Sequence, residues 1–380
     1  MSSTYPRLER PAWVEVDLAQ LRRNFALIRA FTPSSVRLLS VVKAEAYGHG
    51  SVAVARAAVA AGASHLAVAT PGEAAPLRAA GLTVPILLFG NPPPALFPAC
   101  AALDLTLSPG DLETAAALEG YSRESGWCPS VQIKVNTGMN RYGFRWDAVD
   151  RWAPALQAMS AFRFAGIYSH FAMSDEADKS FAHEQRRRFG EVLEALNLRG
   201  FPVGLRHLCN TGGLLDLPEA HLDMVRLGIL PLGVYPSKVC RRLAGLKPVM
   251  TVKALVTSLQ TLETGETVGY GLKYRAASRR RVAILPLGYA DGFPRVRNEG
   301  EVLIRGRRAP LVGGVAMDAL TVDVTAIPDV ALFDEAVVCG VQGVEEIAVD
   351  DLARLKGSVC YDILAGWRGR LPRVYRGDED

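Results

Sequence analysis

The stretch LLSVVKAEAYGHGSVAVARAAVAAGASHLAVAT, residues 38–70, decides how most of the N-terminal 240 residues fold. It runs from a short aliphatic segment (38–43) through a polar, glycine-bearing turn into an alanine-rich helical stretch. A second aliphatic segment (65–70) follows. A short apolar run, a helix and another apolar run make one βα unit feeding a parallel sheet. The same rhythm recurs at 85–90, 103–108, 131–136, 164–170, 205–209 and 224–228. Helix-like segments such as DLETAAALEG, WDAVDRWAPALQAM and DKSFAHEQRRRFGEVLEALN lie between these runs. Eight βα units in about 200 residues is the arithmetic of a (β/α)8 TIM-type barrel.

After PLGVYPS the texture changes. Thr, Val and Gly are enriched, helical stripes are few, and MTVKALVTSL, RRVAILPLGY, GEVLIRG and LTVDVT read as strands. The expected architecture is α/β: a barrel over 1–240 followed by a mostly-β C-terminal domain over 241–380. Near the front, AWVEVDLAQLRRNFALIRAF reads as a strand and an amphipathic helix, and residues 12–17 are a candidate strand of the second domain.

Composition bounds the rest. The 380 residues are 49% hydrophobic, ample for a core, and 43 Lys+Arg against 39 Asp+Glu leave a net charge of only +4. That is too small a field to gather nucleic acid. The triplets Arg186-Arg187-Arg188 and Arg279-Arg280-Arg281 are read as solvated faces. Six scattered cysteines form no CxxC pair and read as reduced thiols. The histidines lack metal-ligand spacing, so no metal is expected. Without a signal-peptide pattern or a long unbroken apolar run, a cytoplasmic protein with no membrane partner is expected.

Barrels of this kind place chemistry at the carboxyl ends of their strands. Lys43 ends the first run, Asn136 the fifth and His170 the sixth; Asn210 and Thr211 follow the seventh, and Arg226 and Gly228 end the eighth. A lysine on that rim is either a solvated amine or one kept partly desolvated to form a Schiff base. Thr211 with its following glycines, and Gly228 with Ile229, offer a hydroxyl and bare N–H groups of the kind that hold phosphate. Phosphate and an aldehyde-seeking lysine on one rim suggest pyridoxal phosphate. In VQIKVNTGMNRYGF, period-two alternation turns Lys134 and Asn136 inward if Ile133 and Val135 face the outer helices. Lys134 is then paired with a carboxylate, deprotonated or chemically neutralised. Tyr270, between two glycines in GETVGYGLKY, is either part of a plain hairpin turn or a phenol projecting toward another surface.

Taken together, these motifs resemble the alanine racemase family, from WVEVDLAQLRRN to RLPRVY. The resemblance implies a pyridoxal phosphate enzyme, an isomerase that interconverts L- and D-alanine with two bases, one on each face of the substrate. It assigns Lys43 to the covalent bond with the cofactor and to one base, and Tyr270, from the other subunit of a homodimer with composite sites, to the second. Tyrosine ordinarily titrates near pH 10, so a phenol base needs positive charge nearby; the family pattern supplies it through His170 and Arg226. Tyr47, Thr211, Gly228, Ile229 and Tyr361 match phosphate contacts, and Asn210 adjoins them. Arg226 matches the arginine facing the pyridine nitrogen. Arg141 and the backbone of Met317 match groups holding the cofactor oxygen and the substrate carboxylate. Lys134 matches a lysine often carbamylated, and Tyr289 and Asp318 fall at the entrance. The resemblance further implies supply of D-alanine to peptidoglycan precursors, a catabolic role being the other possibility.

Some positions depart from the family pattern: Glu45 for Asn or Asp, Asn136 for Asp, Leu232 for Tyr, and Gly314 and Ala316 for Arg and Cys. None removes a catalytic group, but lost bulk at the entrance raises a broader amino-acid racemase, acting on serine or lysine, as the alternative. A fold-related decarboxylase would carry a carboxylate at the pyridine nitrogen, which Arg226 opposes.

Overall fold

The computed structural model describes residues 10–377. Each of the eight expected runs contains a strand: β1 Arg37–Val41, β2 His65–Val68, β3 Ile86–Leu88, β4 Leu105–Thr106, β5 Ser130–Asn136, β6 Arg163–Tyr168, β7 Leu205–His207 and β8 Met224–Leu227. They pair in parallel as two sheets, β8-β1-β2-β3-β4 and Phe144–Arg145 with β5-β6-β7. At one seam Leu107 bridges Val131, its N–H donating to Ser130 O at 2.9 Å while Gln132 N–H donates to Leu107 O at 2.8 Å. At the other, Asp223 N–H donates to Arg206 O (3.0 Å) and Arg226 N–H to Cys209 O (3.1 Å). The α/β unit, residues 21–46 and 51–247, is thus two parallel sheets joined at these seams.

Its strands read as unbroken aliphatic runs because both faces are covered: every residue of β2, β3 and β8 is buried. Between β1 and β2, helix Ser51–Ala60 buries Val54, Ala55, Ala57 and Ala58, and small side chains let it lie close to the sheet. The next helix, Pro71–Ala79, starts at a capping box in which Thr70 accepts from Glu73 N–H and Glu73 accepts from Thr70 N–H.

The second unit, over the described residues 10–20, 47–50 and 248–377, is mostly β. Its main sheet runs Arg307–Pro310, Glu301–Ile304, Glu335–Gln342, Met250–Leu255, Ala12–Asp17, Arg373–Arg376. Ala12–Asp17 pairs antiparallel with Met250–Leu255, Val14 opposite Val252, and parallel with Arg373–Arg376. A three-stranded sheet, Ser258–Leu262, Arg280–Leu285 and Leu320–Asp323, leads into a tight crossing. There Tyr289 N–H donates to Ala316 O (3.1 Å) and Ala290 N–H to Met317 O (3.0 Å). Asp291, fully buried beside it, accepts from Gly288 N–H (2.9 Å) and from both terminal nitrogens of Arg10. No helix among the described residues is long and apolar enough to cross a membrane.

Gly288 is the close approach that permits the crossing, since a Cβ there would lie 2.2 Å from Ala316 O and 2.5 Å from Met317 O. Gly288→Ala is expected to cost about 1–3 kcal/mol, the usual penalty for overpacking a close-packed site. Urea melts read this directly; a melt superimposing on wild type would mean the 316–317 backbone moves aside freely.

Candidate active site

The strands end before the expected rim residues do. β1 stops at Val41 and β6 at Tyr168, so Lys43 and His170 stand two residues beyond them, where the ladders have run out of partners. Arg226 instead lies inside β8 and is 3% exposed.

The backbone after Lys43 is strained. Ala44, Glu45, Ala46 and Tyr47 have φ of 51°, 55°, 49° and 53°, a left-handed turn built from non-glycine residues. Such residues cost roughly 1–2 kcal/mol each in this conformation, so neighbouring groups must hold it. Glu73 does so: its Oε1 accepts from Ala44 N–H at 2.8 Å and its Oε2 from Ala69 N–H at 2.7 Å. Glu45 Oε2 accepts from both the N–H and the hydroxyl of Ser51, each at 3.1 Å, so this departure from the family pattern braces the turn. The result is a braced backbone immediately after Lys43.

Lys43, Lys134, Arg141, Ser108, Tyr168 and His170 line a cavity of about 250 Å³. Tyr168 organises it. Its hydroxyl hydrogen-bonds Ser108 Oγ (2.7 Å), the Lys134 ammonium sits 4.4 Å from its ring centroid, and the His207 ring stacks on it at 4.8 Å and 9°. Arg226 Nη2 donates to Ser169 O (2.8 Å), Leu208 O (3.0 Å) and His170 Nδ1 (3.1 Å), while Nη1 donates to His207 Nδ1 (3.0 Å). Every one of these acceptors is neutral. Among the described residues, no carboxylate forms a salt bridge with Lys43, Lys134, Arg141 or Arg226.

Uncompensated burial moves the titrations in one direction. Desolvation, then the charge of Arg141, lowers the Lys43 amine, with Glu73 opposing. Lys134 falls well below the lysine range through burial first and then Arg226 and Arg141. Burial brings Arg226 down to about 10, and burial with Arg226 depresses His170 and His207. The carboxylate pairing left open for Lys134 in the sequence is therefore not what the fold provides. Asn136 ends the strand and lines a small pocket with Lys134, Arg141 and His170, while its Oδ1 accepts from the Gly138 and Asn140 N–H groups (3.0 and 3.1 Å) and so shapes the loop as well.

Asn210 and Thr211 open the short helix Thr211–Asp216. Asn210 Oδ1 accepts from Gly213 N–H (3.0 Å) and Ser174 Oγ (2.7 Å), whereas Thr211 Oγ1 is buried with no hydrogen-bond partner. Gly228 and Ile229 follow β8, with Ile229 fully buried. In the β-rich unit, Tyr47 and Tyr361 have ring centroids 6.1 Å apart, and burial pushes the Tyr47 phenol up to about 12. Tyr289 and Met317 meet at the crossing described above, and Asp318 accepts from Arg370 at 2.5 Å. Tyr270 stands apart in the turn between Thr267–Val268 and Tyr274–Arg275. Flanked by Gly269 (φ 73°) and Gly271 (φ 74°), it is 80% exposed.

Sequence reasoning missed Glu73, Tyr168, His207 and Gln132. Thr70-Pro71-Gly72-Glu73 carries a capping-box signature that marks Glu73, and alternation puts Gln132 on the same face as Lys134. Nothing local marks Tyr168 or His207.

A model of the alanine racemase N-terminal domain matches residues 16–236, and one of the C-terminal domain matches 249–375. An alanine racemase of Halothermothrix orenii is 40% identical over 371 residues, covering 97% of this chain and 98% of its own. Another, from Methanococcus maripaludis, is 36% identical, with 97% and 99% covered. Among solved structures, alanine racemase of Clostridium difficile superposes with TM-score 0.93 at 30% identity, covering 97% of each chain. That of Bacillus anthracis with bound L-Ala-P gives 0.93 at 32%, covering 99% of this chain and 97% of that one.

The buried histidines carry a pH signature. Burial and Arg37 lower His65 to about 4, and His170 and His207 are lowered as well. Below their unfolded value of about 6.5 the unfolded chain binds more protons than the folded one, so stability is full above that pH. For His65 the loss runs between about 6.5 and 4, at most about tenfold in the folding equilibrium per pH unit, and His170 and His207 act in the same direction. Urea midpoints should drop from pH 7.5 to 5.5, and less steeply in His65→Gln; an equal drop in both would remove His65 from the account.

Proposed function

The chain belongs to the alanine racemase family, and from that premise we propose that it interconverts L- and D-alanine, with pyridoxal phosphate as cofactor. What carries the reading is a set of basic side chains without a carboxylate salt bridge, Lys43, Lys134 and Arg141 around one cavity and Arg226 bonded to His170. Such a site attracts a phosphate and a carboxylate and shifts its amines toward the neutral form. The residues also fit the cofactor: Thr211 Oγ1 is a buried hydroxyl in want of a partner, and Arg226 Nε–H has no acceptor among the described residues.

Thr211, the N–H groups of Gly228 and Ile229, Asn210, Tyr47 and Tyr361 would hold the phosphate, and Lys43 the aldehyde carbon. When bound, the cofactor supplies an aldehyde to capture the substrate amino group and a ring that withdraws electrons from its α-carbon. Removing a proton from one face and returning one to the other needs two carriers, for which Lys43 and Tyr270 are assigned. A lowered amine is suited to that task near neutral pH. Arg226, a donor-only cation, would disfavour protonation of the cofactor's ring nitrogen and so limit side reactions such as transamination. Arg141 and the Met317 backbone would take the substrate carboxylate. Lys134, buried near two arginines, gains from a carbamate that cancels its charge and orients Arg141. The exposure of Tyr270 suits a phenol given to a partner copy, so a cytoplasmic homodimer with composite sites is part of the proposal. Tyr289 and Asp318 belong to its entrance. The product serves cell-wall precursor synthesis or, in reverse, alanine catabolism. Small residues at Gly314 and Ala316 favour a second reading, acceptance of serine or lysine.

In heavy water, the wild type with pyridoxal phosphate is expected to place deuterium at the α-carbon of both alanine enantiomers. Lys43→Ala should reduce this by about 10²–10⁴-fold, the span of general acid–base catalysis, and Tyr270→Phe should suppress exchange from one enantiomer more than from the other. Unimpaired exchange in Lys43→Ala would refute the assignment. Parallel assays with serine and lysine decide the second reading, which fails if alanine alone turns over.

A further inference from the structure

A hydrogen-bonded chain through β5, β7 and β8 admits one proton assignment. A guanidinium has five N–H donors and no acceptor. Arg226 Nη1 lies 3.0 Å from His207 Nδ1, so Nδ1 must accept. The neutral ring then carries its proton on Nε2, which lies 2.7 Å from Gln132 Oε1. The Gln132 carbonyl oxygen is therefore the acceptor that completes the chain. All three side chains are buried: Gln132 is 2% exposed, His207 0% and Arg226 3%, so water does not substitute. Burial and the adjacent Arg226 charge keep the ring neutral.

The surroundings are shaped around this chain. Stacking on Tyr168 fixes the plane of the imidazole, and Ser108 fixes Tyr168. Gly166 of β6 makes room for Gln132, since a Cβ there would lie 3.1 Å from the Gln132 Cδ and 2.7 Å from Leu205 O. Arg226 Nη2 is taken by Ser169 O, Leu208 O and His170 Nδ1, and the bond to His207 is the one that secures Nη1. A planar group held at both terminal nitrogens cannot rotate, and this sets where its unengaged Nε–H points.

We propose that Gln132 is a positioning residue for Arg226: by accepting the Nε2 proton of His207 it keeps Nδ1 as the acceptor that orients the guanidinium. The inference deepens the proposed function and rests on its reading of Arg226 as the cation facing the cofactor ring. Without Gln132 the ring has an unsatisfied buried N–H and reason to turn or change tautomer, and Arg226 loses one of its two anchors. The reaction then becomes less selective, with more half-transamination for each racemisation.

The test uses full-length holoenzyme labelled with ¹⁵N-histidine, the His207 signals being assigned by their loss in His207→Phe. Wild type is expected to show a neutral ring protonated on Nε2, and Gln132→Met, close in volume but without an acceptor, to shift away from that pattern. The ratio of half-transamination, followed as loss of the bound cofactor's absorbance, to racemisation should rise about tenfold in Gln132→Met, the rate equivalent of one buried hydrogen bond. His207→Phe should raise it to a similar extent, and the double variant no further than the larger single effect. A wild-type ring protonated on Nδ1, a tautomer change in Gln132→Met with no change in the ratio, or additive effects in the double variant would each overturn the proposal. Unchanged partitioning in Arg226→Lys would instead remove the premise about Arg226, while the tautomer measurement still reads the chain itself.

Discussion

The site depends on burying positive charge without burying carboxylate beside it. Arg226 is held by backbone carbonyls and neutral imidazoles, and Lys134 lies against the face of Tyr168. A carboxylate partner would have stabilised each cation and filled the field that an anionic ligand needs. Neutral acceptors satisfy the N–H groups and leave the charge uncancelled. The lowered Lys43 and Lys134 amines, and the histidines kept neutral beside Arg226, follow from that one choice.

The fold meets the cost by over-determining the geometry. Parallel strands buried on both faces let Gln132 and Lys134 of one strand face Tyr168 and His207 of the next two, so polar groups find partners inside a largely aliphatic interior. The left-handed turn after Lys43 is the counterpart at the backbone. Four non-glycine residues in that conformation persist because Glu73 ties the turn to the start of a neighbouring helix and Glu45 ties it to Ser51. Strain in the turn after Lys43 and basic groups without carboxylate partners around the cavity are local departures from stability of the kind that cluster at functional sites.

The family comparisons and the geometry agree on different grounds. Similarity along almost the whole chain identifies the family, whereas the cavity supplies the physical grounds for the proposed roles of its residues. The departures from the family pattern divide accordingly. Glu45 and Asn136 have local structural work, bracing a turn and shaping a loop. Leu232 is simply buried. Gly314 and Ala316 are the positions on which the proposed broader substrate range rests.

Eight aliphatic runs, the change to a β-rich second half, and the basic and polar side chains at or just past the strand ends are legible in the chain alone. These features are local: apolar period, turn residues and helix caps act within a few positions of the chain. It also carried Lys134 as an interior problem, because alternation is a property of one strand. How that problem is met rests on packing between strands. Whether Lys134 finds a carboxylate, which imidazole nitrogen faces Arg226, and that Glu73 holds the turn after Lys43 depend on residues tens of positions apart. Burial raises the energy of an unsatisfied donor or acceptor, and which groups are buried together is settled when the strands pack.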